Sequence, residues 1–134
     1  MFTTGSGDEL TNVLRSTIVA LVRQEGPDLT ARQLGVFLTC YLESEAQTVR
    51  GLAVKLNVAK PAITRALDRL VEFDLVRRKQ DTLDRRSVLV QRTAPGMAFL
   101  RELRIILRDA APGMGIAAAG SDRRRAAVDP RASH

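Results

Sequence analysis

Apolar residues recur at three- and four-residue steps over 8–24, at Leu10, Val13, Leu14, Ile18, Leu21 and Val22. That spacing predicts a helix with one apolar face. Asp8 and Glu9 fall at its expected start, where the helix dipole favours carboxylates. Gly26-Pro27-Asp28 breaks it. Thr30 with Gln33 three residues on is a capping-box pattern, which predicts a second helix over 30–43. Its buried face would be Leu34, Phe37, Leu38, Tyr41 and Leu42. A short third helix, about 49–56, carries Val49, Leu52, Ala53 and Leu56. Asn57 then suits a left-handed turn residue, because Asn tolerates positive φ better than most. A fourth helix follows over 60–72, with Pro61 in its first turn, where a missing N–H costs nothing. Ile63, Ala66, Leu67 and Leu70 would face inward, leaving Lys60, Ala62, Thr64, Arg65, Asp68 and Arg69 outside.

After Asp74 the period changes from 3.6 to 2. Residues 75–79 and 87–91 read as two strands joined by a polar loop, Asp81-Thr82-Leu83-Asp84-Arg85-Arg86. Thr93 opens a last helix with Met97, Leu100, Leu103 and Leu107 in register, ended by Pro112-Gly113. The Ala-, Gly- and Arg-rich remainder, 112–134, holds no sustained apolar period and is expected to be poorly ordered. The fold class is therefore mainly α with a small β-wing (α+β), expected as one domain over 1–111, with helices at 8–24 and 97–110 flanking a core and wing at 48–93.

Composition narrows the chemistry. The chain has 134 residues, 45% of them hydrophobic, with one Cys and one His. Cys40 alone excludes an intramolecular disulfide framework and fits a reducing compartment. With His134 at the far end, neither a Cys/His zinc cluster nor a nucleophile–His pair can be assembled, so no enzyme, cofactor or metal is expected. No stretch approaches the roughly 18 uninterrupted apolar residues of a membrane span. Residues 1–10 lack a basic stretch followed by an apolar core, so no secretory signal is expected and the location reads as cytoplasmic.

The charge is unevenly spread. Residues 1–49 hold 3 basic and 6 acidic side chains; residues 50–108 hold 14 and 6; residues 109–134 hold 4 and 3. The excess sits in the middle of the chain, as expected of a polyanion binder. A solvated cationic face would give the same count, so position has to decide.

Two short helices joined by a tight turn, the second with a small and basic outer face, form the helix-turn-helix pattern. The inner face must be apolar so that the first helix braces the second. The outer face must be slim enough for the major groove and must carry donors: Lys60, Pro61, Ala62, Thr64, Arg65 and Arg69, with Arg50 on the preceding helix. Arg suits guanine edges, Lys suits phosphates, and Ala62 and the Thr64 methyl suit thymine methyls. A strand–loop–strand directly afterwards is a wing. Arg77 and Arg78 on its first strand and Arg85 and Arg86 near its tip would face DNA, the tip reaching a minor groove. Asp81 and Asp84 would orient neighbouring arginines and hold the loop in shape.

Residues 48–96 closely resemble the winged-helix core of the MarR (multiple antibiotic resistance regulator) family. The specific parts are RGLAVKLNVAKPAITRALDRL for the helix-turn-helix and DTLDRR for the wing, with LTARQLGVFL before them. The resemblance covers residues 29 to about 107. It implies a bacterial or archaeal transcription regulator that binds double-stranded operator DNA as a homodimer, often as a repressor. It also implies a recognition helix beginning at Lys60, a wing arginine at Arg85 or Arg86, and a possible small-molecule effector.

Three departures stand out. Ala59 replaces a frequent Ser at the recognition-helix N-cap, a loss of about 1 kcal/mol. Asp74 replaces the usual Gly before the first wing strand. Pro112 interrupts the place where relatives have a second long C-terminal helix, so dimerisation would rest on helices 8–24 and 97–110.

Weaker features carry bland readings. Cys40 has no basic neighbour in sequence to lower its pKa and reads as a small buried hydrophobe rather than a redox sensor. Phe37, Tyr41 and Phe99 suit a core better than an effector pocket. Arg123-Arg124-Arg125 suits a solubilising patch as well as a phosphate grip. Two other functions fit the same residues: a nonspecific or architectural DNA binder, and a winged-helix protein-interaction module.

Overall fold

The computed structural model describes residues 2–113, with side chains from Gly7 onward. Its contacts divide between two compact units. Of the described residues, one holds those up to Glu25 and those from Glu102 to Gly113; the other is Gly26–Arg101. Arg123, Arg124, Arg125 and His134 lie outside the described residues. So does the tail from residue 114, while Pro112 and Gly113 carry helical backbone.

The second unit runs α2 (Ala31–Leu42), β1 (Gln47–Thr48), α3 (Val49–Leu56), α4 (Lys60–Glu72), β2 (Val76–Gln80) and β3 (Val88–Arg92), then the first half of α5 (Ala94–Ala110). Thr30 makes the expected capping box on α2: its Oγ1 accepts the Gln33 N–H at 3.1 Å and its own N–H donates to Gln33 Oε1 at 3.0 Å. Thr48 caps α3 through one bond, its Oγ1 accepting the Gly51 N–H at 2.9 Å. The three strands form an antiparallel sheet in the order β1-β3-β2. Val76 pairs Arg92 and Gln80 pairs Val88 at the ends of the wing ladder, while Thr48 pairs Leu89. The wing strands thus begin one residue later than the alternation suggested. β1 carries no alternation of its own, being two residues long.

Phe37, Leu52, Ile63, Leu67, Leu70, Val36 and Val76 are fully buried, each burial worth roughly 1.5–3 kcal/mol. Phe37 stacks on Tyr41 with ring centroids 4.4 Å apart and meets Phe99 edge-on at 5.1 Å. These three rings fill one another's space as core. Val36 and Cys40 belong to the buried face of α2, whereas Leu42, expected inside, is exposed where the helix ends.

The Tyr41 hydroxyl is the junction of this unit. It donates to Leu75 O at 2.6 Å and accepts the Thr93 N–H at 2.9 Å. Thr93 Oγ1 in turn donates to Asp74 O at 2.7 Å and accepts the Gly96 N–H at 2.9 Å, capping α5. A Cβ on Gly96 would overlap both the Tyr41 hydroxyl and Leu75 O, so only glycine fits. Arg92 closes the other side, donating to Cys40 O at 3.0 Å and Glu43 O at 2.7 Å, a cation on the carbonyl end of α2.

In the first unit, α1 spans Phe2–Arg23, longer than the apolar period indicated. Asp8 and Glu9 therefore sit inside the helix rather than at its start. Thr17 and Leu103 are buried. Leu10, Leu14, Ile18 and Val22, at four-residue spacing along α1, are exposed, Val22 to 71%. Met97 and Leu107 of α5, expected inward, are exposed as well.

Tyr41→Phe leaves the Leu75 carbonyl and Thr93 N–H without their buried partner and should cost about 1–3 kcal/mol in urea unfolding. Gly96→Ala should cost more than Tyr41→Phe in the same measurement.

Candidate nucleic-acid interface

Helices α3 and α4 are joined by a turn that the sequence specifies closely. Asn57 takes the left-handed conformation at φ 56°, ψ 48°. Val58 N–H bonds Ala53 O at 3.1 Å and Asn57 N–H bonds Val54 O at 3.2 Å, the paired pattern of a Schellman stop. The same device ends α4. Asp74 has φ 59°, with Leu75 N–H on Leu70 O and Asp74 N–H on Val71 O, both at 2.9 Å. The first turn of α4 closes without a side-chain cap. Pro61 has no N–H to satisfy, and Ala59 O accepts from Ala62 at 2.9 Å and Ile63 at 3.3 Å. The sequence departure at Ala59 is thereby absorbed.

The exposed side of α4 carries two columns at four-residue spacing, Lys60–Thr64–Asp68 and Pro61–Arg65–Arg69. The first column faces the wing. Arg78 of β2 pairs with Asp68 and donates to Thr64 O at 3.2 Å, tying strand to helix. Around that tie is a hollow of about 210 Å³ lined in part by Arg50, Lys60, Thr64, Arg78, Arg86 and Ser87. Five residues picked from three separate stretches of sequence thus converge on one concavity. Sequence reasoning missed three lining residues, Val49, Ser87 and Val88, of which Ser87 is the polar one. Within a strand pattern it carries no signal of its own.

The wing loop is held by its own polar groups. Asp81 Oδ1 accepts the Leu83 N–H at 3.0 Å, and Asp84 Oδ1 accepts the Arg86 N–H at 3.1 Å. Backbone bonds Asp81 N–H to Ser87 O at 3.0 Å and Ser87 N–H to Asp84 O at 2.9 Å close it. Gln80 Nε2 donates to Arg85 O at 2.7 Å. The two aspartates do hold the loop, chiefly through backbone N–H groups; Asp84 also lies 3.9 Å from Arg86 Nε. Arg85 and Arg86 are left exposed at the rim.

Three predicted residues are placed differently. Ala62 is buried, only 9% exposed, because it continues the inward column through Ala66 and Leu70. It therefore presents no outer methyl. Arg69 lies at the far end of α4, paired with Glu72 at 2.8 Å and stacked 4.7 Å over Phe73. Arg77 alternates with Arg78 along β2 and so belongs to the opposite face of the wing. Among the described residues, Arg50, Lys60, Arg65, Arg77 and Arg85 have no carboxylate partner. No group of three His, Cys, Asp or Glu in the described residues could hold a metal, and no helix there is long and apolar enough to cross a membrane.

A braced helix pair, a second helix with a polar outer side and a basic β-hairpin after it define a winged helix-turn-helix protein. Residues 29–88 match the model of the MarR family. The structure is similar to the YusO protein of Bacillus subtilis, with a TM-score of 0.67 at 18% identity, covering 94% of this chain and 92% of that one. It is similar to the transcriptional regulator BldR of Sulfolobus solfataricus, with a TM-score of 0.58 at 26% identity, covering 85% and 78%. A single-residue mutant of MarR from E. coli gives 0.60 at 22% identity, covering 92% of each chain. No curated protein matches the chain by sequence.

Cys40 is buried in the core on α2. Burial pushes its thiol from 9.0 up to about 12, although Arg92 and Lys55 pull the other way. Desolvation of the thiolate outweighs both cations, so the thiol stays protonated at neutral pH. In the folded protein Cys40 should react with a disulfide reagent at pH 8 far more slowly than in urea, read by absorbance of the released thiolate.

Proposed function

We propose that this protein is a sequence-specific regulator of transcription, a repressor that binds double-stranded DNA as a homodimer on a pseudo-palindromic operator in the bacterial cytoplasm. The observation that carries the reading is the convergence of Arg50, Lys60, Arg78 and Arg86 on one hollow between α3, α4 and the wing. Those cations come from three elements, and the two carboxylates that engage them, Asp68 on Arg78 and Asp84 at 3.9 Å from Arg86, leave Arg50 and Lys60 unpaired among the described residues. A row of phosphates supplies the missing negative charge.

In this reading α4 enters the major groove with its first two turns. Arg65 and Thr64 reach base edges, Lys60 and Arg50 hold backbone phosphates, and Arg85 and Arg86 follow the flanking minor groove. Arg78 has a double role: its pair with Asp68 sets the wing against the helix while its charge adds to the hollow. Arg69 and Arg77 are peripheral, and Ala62 supports the helix from within. No catalytic chemistry belongs to this reading. An effector has no seat among Phe37, Tyr41 and Phe99, whose rings pack on one another.

The partner for dimerisation is a second copy, and α1 supports it. Leu10, Leu14, Ile18 and Val22 form an exposed apolar stripe on one helix, a costly surface for a lone chain. Ile105 and Leu107 of α5 add exposed apolar surface in the same unit.

Selection from a random duplex pool should recover a site with two half-sites about one helical turn apart. Arg65→Ala should then cost about 1–3 kcal/mol and relax base preference, whereas Arg86→Ala should weaken all duplexes alike and flatten the salt slope by about 1. Equal affinity for every duplex would favour an architectural DNA binder; no duplex binding at all would favour a protein-interaction module. Leu14→Asp should convert a dimer to a monomer in sedimentation velocity; a monomeric wild type would sink the dimer reading.

A further inference from the structure

Leu83 is the most exposed large apolar side chain among the described residues, at 95%. It stands at the apex of the wing, in the turn between β2 and β3. The fold uses only its backbone: its N–H donates to Asp81 Oδ1 at 3.0 Å. Because the side chain packs on nothing, folding places no demand on it, and a polar residue would serve the loop equally well.

Its setting is unusual in two respects. The apex is pinned on both sides by aspartates whose carboxylates accept backbone N–H groups, so the leucine is held out in a fixed position. Two arginines with exposed side chains, Arg85 and Arg86, follow within three residues. The tip is an apolar point on a cationic base. A polyanion groove with an apolar lining fits that combination. The minor groove of duplex DNA is such a groove, with phosphates along its rims and deoxyribose hydrogens along its walls.

We infer that Leu83 is a specificity-determining residue, packing against the walls and floor of the minor groove beside the α4 site and favouring A·T pairs there. This rests on the DNA-binding reading above. The selectivity follows from shape. A·T floors present only acceptors, while guanine projects its 2-amino group into the groove, where an apolar tip can neither bond it nor pass it. Arginines at the rim would gain from the more negative potential of the same narrow A·T tracts, so charge and shape select the same flank.

The test uses the full chain and a duplex recovered by it from a random pool, with the pairs flanking each half-site changed to A·T, inosine·C or G·C. Inosine lacks the 2-amino group but keeps guanine's major-groove edge. Wild type should bind the A·T and inosine·C flanks alike and the G·C flank about tenfold more weakly. Leu83→Ala should bind all three within about twofold of one another, and Leu83→Met should keep the wild-type order. Thermal melts should be the same for all three proteins, since the side chain makes no contact in the fold. If Leu83→Ala keeps the wild-type order and affinity, the inference falls and the DNA-binding reading stands. If wild type enriches no duplex, both fall together.

Discussion

One buried hydroxyl organises the winged unit. Tyr41 sits at the end of α2, yet its oxygen joins the chain at Leu75, just before the wing, to the chain at Thr93, just after it. The wing is therefore a closed excursion whose two ends meet on a single side chain. Gly96 and Thr93 complete the knot, and each tolerates little change: one has no room for a methyl, and the other satisfies two backbone groups with one hydroxyl. The ring beneath the hydroxyl packs on Phe37, so the polar junction and the apolar core share one residue. In a low-dielectric surround, such a network is strong when complete and costly when broken.

From that fixed base, the wing is aimed by a second contact. Arg78 reaches across to Asp68 and Thr64 O, which ties β2 to α4. The loop beyond is stiffened by its own aspartates. Cations that would repel one another are thus held by neutral and anionic anchors, Arg78 by groups on α4 and the loop arginines by the backbone bonds of their own loop. Little ordering is left to be done when a ligand arrives, which favours tight and selective binding over adaptable binding.

Much of this was legible in the sequence because the signals were local. The Thr30–Gln33 box, the Asn57 turn and the inward column Ile63–Ala66–Leu67–Leu70 depend on residues within one or two turns of each other. What escaped depends on residues far apart. β1 exists only because β3 offers it a partner, and two residues cannot carry a period of their own. Ala62 and Ala66 are small enough to suit either side of a helix, so composition did not decide Ala62; the neighbours of α4 did. Arg78 looked like another free cation, and only the fold brings Asp68, ten residues earlier, to its side. On α1 the period marked the apolar face correctly, but a period does not say whether the surface it meets belongs to the same chain.

Two helices end on left-handed residues that are not glycine, Asn57 and Asp74. Each such residue holds back something on the order of 1 kcal/mol that glycine would release. For Asp74 the genetic code makes that reserve close at hand, since any aspartate codon becomes a glycine codon by one nucleotide change. The protein keeps a strained residue at the root of its wing although relief is a single nucleotide change away.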